Sequence, residues 1–334
     1  MPIEFDGGLS TGGSLNPVDD APEMPEEESG APAAECIDIA FLNNMPDSAL
    51  RGTERQFVKL LRAAAGRRKI RLHPFSLPEI ARGEAGRAHL REAYSPLAEL
   101  LGGRFDALIV TGTEPRAASL VDEPYWKSLT NIVDWAEHNT VSTIWSCLAA
   151  HAAVLHLDGI KRQPLPAKCS GVFECVANSD DQLLAAVPSP FLMPHSRWND
   201  LSESDLVAHG YGILTRSSAG VDLFAKQWRS LFVFLQGHPE YATNALLLEY
   251  RRDVGRFLGG ECDRYPTMPI GYFDGSSEHA LAAFRQRAER DRQPGLFASF
   301  PQDAGPRPAI ASRWQVSAIA VLRNWLAYLT TREE

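Results

Sequence analysis

The sequence predicts an α/β protein: a mostly parallel sheet covered on both faces and extended by an antiparallel annex. Three observations carry this. Short, near-continuously apolar runs alternate with helical patterns over the first half of the chain, as in successive βαβ units. Beyond about residue 160 the apolar runs follow one another at hairpin-like spacing instead. One run, "TVSTIWS", passes through Cys147 straight into the Ala/Leu-rich "LAAHAAVLHLDGI" with no loop between them.

Residues 1–34 are rich in Gly, Pro, Ser and acid ("VDDAPEMPEEESGAPAAE"), too poor in apolar side chains to order themselves, and predict a disordered tail. "CIDIAFLN" (Cys36 to Asn43) reads as the first buried strand. "TERQFVKLLRAAAG" has a capping-type start at Thr53, apolar residues at 57, 60 and 61, and Gly66 at its end, which together predict a helix. "KIRLHPF" and "FDALIVTG" (Phe105 to Gly112) follow as strands. "YWKSLTNIVDWAEHN" (Tyr125 to Asn139) is amphipathic and helical, and "TVSTIWS" is the fourth strand. The annex is expected from "GVFECV", "FLMP", "YGILTR", "VDLFA" and "LFVFLQ". A long helix is then expected in "EYATNALLLEYRRDVGRFLGG". The main domain is thus expected over 35–260. Residues 261–334 read as an extension, with a loop-rich insertion, one charged helix ("EHALAAFRQRAERDR") on a solvated face, and a final amphipathic helix from Trp314 to Leu329 on the same domain.

Composition narrows the function. The chain has 334 residues, 44% of them hydrophobic and 22% charged, a globular balance. A net charge of −9 argues against nucleic acid or an anionic membrane as partner, and leaves small-molecule substrates. No apolar run is long enough to span a bilayer, and the start shows no secretory signal. Five cysteines, at 36, 147, 169, 175 and 262, read as free thiols of a reducing cytoplasm. None has zinc-ligand spacing with histidine, so no metal is expected.

The chemistry starts at Cys147. A buried strand joined directly to a helix forces a sharp turn, which holds a reactive atom at the carboxyl end of the sheet. The helix N-terminus behind it favours thiolate over thiol. The ordinary alternative is a buried thiol acting as a small hydrophobe. A base is offered by "FVFLQGHPEY", where an apolar strand delivers His238 at its end and Glu240 two residues later. Glu240 is suited to fix the imidazole tautomer, the third role of a triad. Otherwise His238 and Pro239 merely make a turn.

An elbow cysteine followed by a late Gly-His-Pro-Glu resembles the class I glutamine amidotransferase-like fold, a three-layer, flavodoxin-like sandwich. More narrowly, the chain resembles the homoserine O-succinyltransferase/O-acetyltransferase family of methionine biosynthesis. "FLNNMPD", "TERQF", "FDALIVTG", "YWKSLTNIVDW", "HLDGI", "PLPAKCSGVFE", "MPHSR", "GHPEY", "EYRRDV" and "WQVSAIAVLRNWLAYL" carry that resemblance, in family order.

The resemblance implies that Cys147 takes the acyl group from acyl-CoA as a thioester. His238, oriented by Glu240, then acts as base on the amino-acid hydroxyl in a ping-pong exchange. The family's amino-acid-binding positions fall on Lys168, Ser196 and Arg252, and Glu249 lies one helical turn before Arg252. Acyl-CoA is a co-substrate and no cofactor is implied; the assembly implied is a homodimer. The family position that separates succinyl users (Gly) from acetyl users (Glu) falls on Arg116. A guanidinium there favours the free carboxylate of succinyl, unless it points to solvent or pairs with Glu114 or Asp122.

The chain also departs from the pattern. Ser48 stands where the family has lysine, with Arg51 nearby as a substitute, and Leu148 and Ala149 follow the cysteine in place of Trp and Gly. The tail and the insertion around 275–312 are additions. Homoserine is the expected acceptor, with another hydroxy-amino acid as the alternative. A glutamine amidotransferase or Cys hydrolase, and a non-catalytic metabolite-binding relative, are the competing classes.

Overall fold

The computed structural model describes residues 3–6 and 36–331. In chain order the first half contains β1 (Ile3–Asp6), β2 (Cys36–Leu42), α1 (Asp47–Ala65), β3 (Lys69–Phe75), α2 (Glu84–Ala93), α3 (Leu97–Gly102), β4 (Ala107–Val110), α4 (Trp126–Asn139), β5 (Ser142–Ser146) and α5 (Leu148–Asp158). The second half contains β6 (Gln163–Ala177), β7 (Phe191–Asp200), α6 (Glu203–Ala208), β8 (Gly212–Ile213), β9 (Thr215–Ser217), β10 (Gly220–Val221), β11 (Leu223–Gln227) and β12 (Leu231–Leu235). Helices α7 (Ala245–Leu258), α8 (Gly275–Arg290) and α9 (Pro308–Thr330) complete it.

The main sheet has the order β1-β3-β2-β4-β5-β12-β11-β8. Its centre, β3-β2-β4-β5-β12, is parallel, and the edge strands β1, β11 and β8 are antiparallel. The strands alternate sides as their pleat requires. Leu42, Leu108, Val110 and Trp145 face a core closed by Leu129, Ile132, Val133 and Ala136 of α4 and by α5. Ile39, Phe41, Ile109 and Ile144 face the other core, closed by Phe57, Leu60, Leu61 and Ala64 of α1 and by Leu322, Trp325 and Leu326 of α9. Trp325 fixes α9 there by donating to Ser142 Oγ at 2.9 Å, deep under the sheet.

Several expectations change. "LFVFLQ" is not annex: β12 pairs in parallel with β5, residue for residue from Leu231↔Ser142 to Leu235↔Ser146. The annex proper is the sheet β10-β9-β6-β7, whose β6 and β7 are far longer than the short strands expected. Of the predicted tail, residues 1, 2 and 7–34 lie outside the described residues, and residues 3–6 pair with Lys69–Leu72 as an edge strand. The charged helix α8 is not a purely solvated face, because Leu281, Phe284 and Ala288 are fully buried with Tyr250, Phe257 and Phe300. That side of α8 joins the insertion to α7 by hydrophobic burial. Among the described residues, no helix is long and apolar enough to cross a membrane.

Candidate active site

Strand β5 ends at Ser146 and α5 begins at Leu148, leaving one residue to make the turn. Cys147 makes it at φ 52°, ψ −110°, a conformation that a side-chain-bearing residue adopts only under strain. Its N–H donates to Leu235 O at 2.7 Å, tying the turn to β12. Leu148 opens the helix, so its N–H has no intrahelical partner and stands at the positive end of the helix dipole, one residue after the sulfur's own. Gly112, just past β4, approaches this turn closely: a Cβ there would stand 3.2 Å from Leu148 N and 3.2 Å from Leu148 Cβ.

His238 follows β12 by three residues, on the same carboxyl edge. Its Nδ1 lies 2.8 Å from Glu240 Oε1, and its ring stacks on Tyr241 with centroids 4.3 Å apart. Its Nε2 is buried and, among the described residues, makes no hydrogen bond of ordinary geometry, with the Cys147 sulfur as its neighbour. Burial opposes the imidazolium, but the Glu240 carboxylate and the Cys147 sulfur outweigh it, and the His238 pKa lies well above its ordinary value. The structure therefore brings Cys147, His238 and Glu240 together.

The four amino-acid-binding candidates also converge. Lys168 on β6 reaches Glu249 Oε2 at 3.1 Å and Asp253 Oδ2 at 2.9 Å, both on α7. Ser196 on β7 and Tyr241 each donate to the Glu249 carboxylate. Burial would raise the Glu249 pKa, yet Lys168 and these hydroxyls hold it below the usual value. Arg252 sits at the rim, bonded through Nε and Nη2 to Asp253 Oδ1 at 3.0 and 2.9 Å. Gly171 on β6 has φ 151°, and a Cβ there would collide with the Ile270 backbone that bridges to it, so glycine lets the insertion lie against this strand.

Arg116 is exposed on the loop after β4. Its side chain pairs with neither Glu114 nor Asp122: Glu114 is bound by Arg256 at 2.8 Å. The Arg116 and Ala117 N–H groups instead donate to Oε1 of the buried Glu123 at 2.6 and 2.7 Å, pinning the loop. Arg51 is exposed and forms no ion pair among the described residues. The cation at that turn is Arg82, which binds Met45 O and, at 3.3 Å, Asp47.

The sequence assigns no site role to Tyr241, Asp253, Gly112 or Arg82. The first three sit inside the motifs "GHPEY", "EYRRDV" and "FDALIVTG", although the closeness of Gly112 to Leu148 shows only in space, as does Arg82. Among the described residues one group offers metal-type ligands within 4.8 Å of one another: Cys175, His195 and Asp222, all buried. Arg197 donates to His195 Nδ1 at 2.7 Å, which leaves the proton of the neutral ring on Nε2, facing Asp222. Both Asp222 oxygens already accept hydrogen bonds, from Gly237 and Thr215. The donor set fits a hydrogen-bonded core and not an ion.

A cysteine on the turn after β5, met by a histidine from the adjacent parallel β12, defines a class I glutamine amidotransferase-like protein. Within that class the chain belongs to the homoserine O-succinyltransferase family, whose sequence profile matches residues 16–334. A homoserine O-succinyltransferase of Rhodopseudomonas palustris is 54% identical over 300 residues, 90% of each chain. That of Methylorubrum extorquens is 48% identical, over 90% of this chain and 89% of the relative. That of Bradyrhizobium japonicum is 50% identical, over 88% and 90%. A solved glutamine amidotransferase of Thermotoga maritima covers 90% of this chain and 99% of its own at 11% identity, with a TM-score of 0.48. One of Methylobacillus flagellatus covers 88% and 95% at 14% identity, also with a TM-score of 0.48.

Proposed function

We propose that this protein transfers the succinyl group of succinyl-CoA to the hydroxyl of homoserine through a thioester on Cys147. The observation that carries the reading is the His238–Glu240 pair at 2.8 Å, with a buried Nε2 beside a cysteine on a strained turn. Family membership supplies the substrates.

In the first half-reaction the Cys147 sulfur attacks the thioester carbonyl while His238 holds the proton. The carbonyl oxygen gains charge against the first-turn N–H of Leu148 and the backbone at Gly112, which act as an oxyanion hole. The intermediate collapses, the C–S bond to CoA breaks, and His238 returns its proton to the departing thiolate. Acylation takes up the Cys147 sulfur, and with it one of the two groups that raise the His238 pKa. The imidazole is thereby freed to accept a proton when homoserine arrives. In the second half-reaction His238 takes the hydroxyl proton, the oxygen attacks the succinyl carbonyl, and Cys147 leaves.

The amino-acid end is read by the cluster on β6, β7 and α7. Glu249 accepts the substrate ammonium, Arg252 its carboxylate, and Lys168 and Ser196 hold Glu249 in place. Arg116 reads the free carboxylate of the succinyl group. No cofactor is required beyond acyl-CoA as co-substrate. The family resemblance further supports a homodimer in the cytoplasm, with no nucleic-acid or membrane partner.

Intact mass after mixing with succinyl-CoA alone tests the reading. One succinyl group gained, lost on Cys147→Ala and discharged by homoserine, is the expected result. Ammonia release from glutamine without any adduct would replace the reading with a glutamine amidotransferase.

A further inference from the structure

We propose that Asp222 is a positioning residue for the base: by accepting the Gly237 N–H, it fixes the path along which the chain carries His238 out of the sheet. The inference rests on His238 being the base.

β12 ends at Leu235, and the next three backbone N–H groups must find partners outside the ladder. Gln236 donates to Asp222 O at 2.9 Å, Gly237 to Asp222 Oδ1 at 3.1 Å, and His238 to Pro194 O at 2.8 Å. Two of the three therefore end on one residue. Asp222 is held from the other side. Its N–H donates to Thr215 O at 3.1 Å, and its Oδ2 accepts from Thr215 Oγ1 at 3.0 Å, an oxygen that in turn accepts Leu223 N–H at 3.0 Å. His195 Nε2 lies 3.3 Å from Asp222 Oδ1, and Arg197 fixes His195 through Nδ1.

Asp222 and His195 are both completely buried. Packing alone does not ask for a carboxylate here, since a buried charge is costly and an apolar residue of like size would fill the space. An acceptor is needed because Gly237 has no strand partner. Gly237 also fits closely: a Cβ on it would collide with Asp222 Oδ1 and Met193. His195 and Pro194 adjoin Ser196, so β7 touches the base's path and the amino-acid site at once. Asp222 touches no substrate in this arrangement. Its effect reaches the reaction through the direction of the His238 ring.

The test uses full-length protein succinylated on Cys147 and then discharged by homoserine in a single turnover. Asp222→Ala should lower the maximal discharge rate by about tenfold or more, the scale of a small misalignment, with the half-saturating homoserine concentration unchanged. Asp222→Asn keeps an oxygen for the Gly237 N–H and should recover most of that rate. If the alanine variant does not fold, Thr215→Val, which unties Oδ2 and releases the Leu223 N–H but keeps the Thr215 carbonyl on the Asp222 N–H, should show the same loss confined to rate. A wild-type discharge rate in the folded Ala or Val variant, or an equal loss in Asn, would overturn the proposal. His238→Asn, run alongside, separates the two readings. A fast His238→Asn removes the base assignment itself, whereas a slow one beside a fast Asp222→Ala removes only the role of Asp222.

Discussion

The Leu235 carbonyl accepts the Cys147 N–H at 2.7 Å, so the turn that carries the sulfur is fastened to the strand that carries His238 three residues later. Nucleophile and base thus share one edge of the sheet, Cys147 on the turn itself and His238 on the short segment that leaves β12. The cost is backbone strain at Cys147, which nothing in its own side chain relieves.

That strain has a measurable consequence. Glycine at this position would relax φ 52°, a gain of about 1–3 kcal/mol, against about 0.5–1 kcal/mol lost to the greater freedom of unfolded glycine. Cys147→Gly should therefore unfold at higher urea than Cys147→Ala, by roughly 1 kcal/mol, although neither variant transfers acyl groups. Equal stabilities would mean that the turn is not strained.

The pH dependence follows from the raised His238 pKa. The base must be unprotonated to accept the hydroxyl proton, so discharge should speed up as pH rises through the His238 pKa of the succinyl enzyme, which Glu240 holds up without the free Cys147 sulfur. Glu240→Gln removes the largest charge holding it up, and the acid limb should move to lower pH while the plateau rate falls. Stability carries the opposite sign. Protonated His238 stabilises the fold fully below the unfolded histidine value of about 6.5, and that contribution is lost as pH climbs through the higher folded value. The stability gap between wild type and Glu240→Gln should narrow with rising pH. A limb that stays in place would assign it to another group.

How far the sequence discloses this arrangement depends on what kind of contact is involved. The elbow at Cys147 and the Gly-His-Pro-Glu turn are local, punctuated by glycine and proline, and read directly. The apolar spacing of the first helix starts at Thr53, yet the helix begins at Asp47, over a stretch whose one buried apolar side chain is Leu50. "LFVFLQ" reads alike in a hairpin and in a parallel sheet, and only its pairing with Ser142–Ser146, some 90 residues away by chain order, gives its direction. Asp222 is silent in "VDLFA", where a lone aspartate looks like a loop residue. Arg82 and Gly112 act only through neighbours distant in sequence.

Arg252 now has a competitor that the helical spacing did not suggest. Asp253 Oδ1 accepts from both Nε and Nη2, so a substrate carboxylate must displace it or share the guanidinium. Arg252→Ala should raise the half-saturating homoserine concentration by about 10- to 150-fold, the value of a charge-assisted contact of roughly 1.5–3 kcal/mol. The acyl-CoA requirement should stay nearly constant, as measured by the rate of Cys147 acylation. A shift in acylation alone would place the acyl donor, and not the amino acid, against α7.

The acyl group is decided on the loop after β4. A glutamate at position 116 would repel the free carboxylate of succinyl, whereas the guanidinium of Arg116 attracts it. The loop is well held for such a role: both N–H groups at 116 and 117 end on the buried Glu123, and Arg256 clasps Glu114 two residues earlier. Among the described residues the Arg116 side chain forms no ion pair, so none of their carboxylates has to be displaced before it meets the substrate. It is also exposed, which screens the attraction and limits its value. Wild type should prefer succinyl-CoA in kcat/KM. Arg116→Glu should move the donor ratio toward acetyl-CoA by about tenfold, or ~1.4 kcal/mol, and raised salt should shrink the wild-type preference. Glu123→Gln keeps an acceptor for the two N–H groups and should leave the ratio near wild type, separating loop anchoring from charge reading. A donor ratio indifferent to both charge reversal and salt would show that Arg116 does not touch the acyl tail.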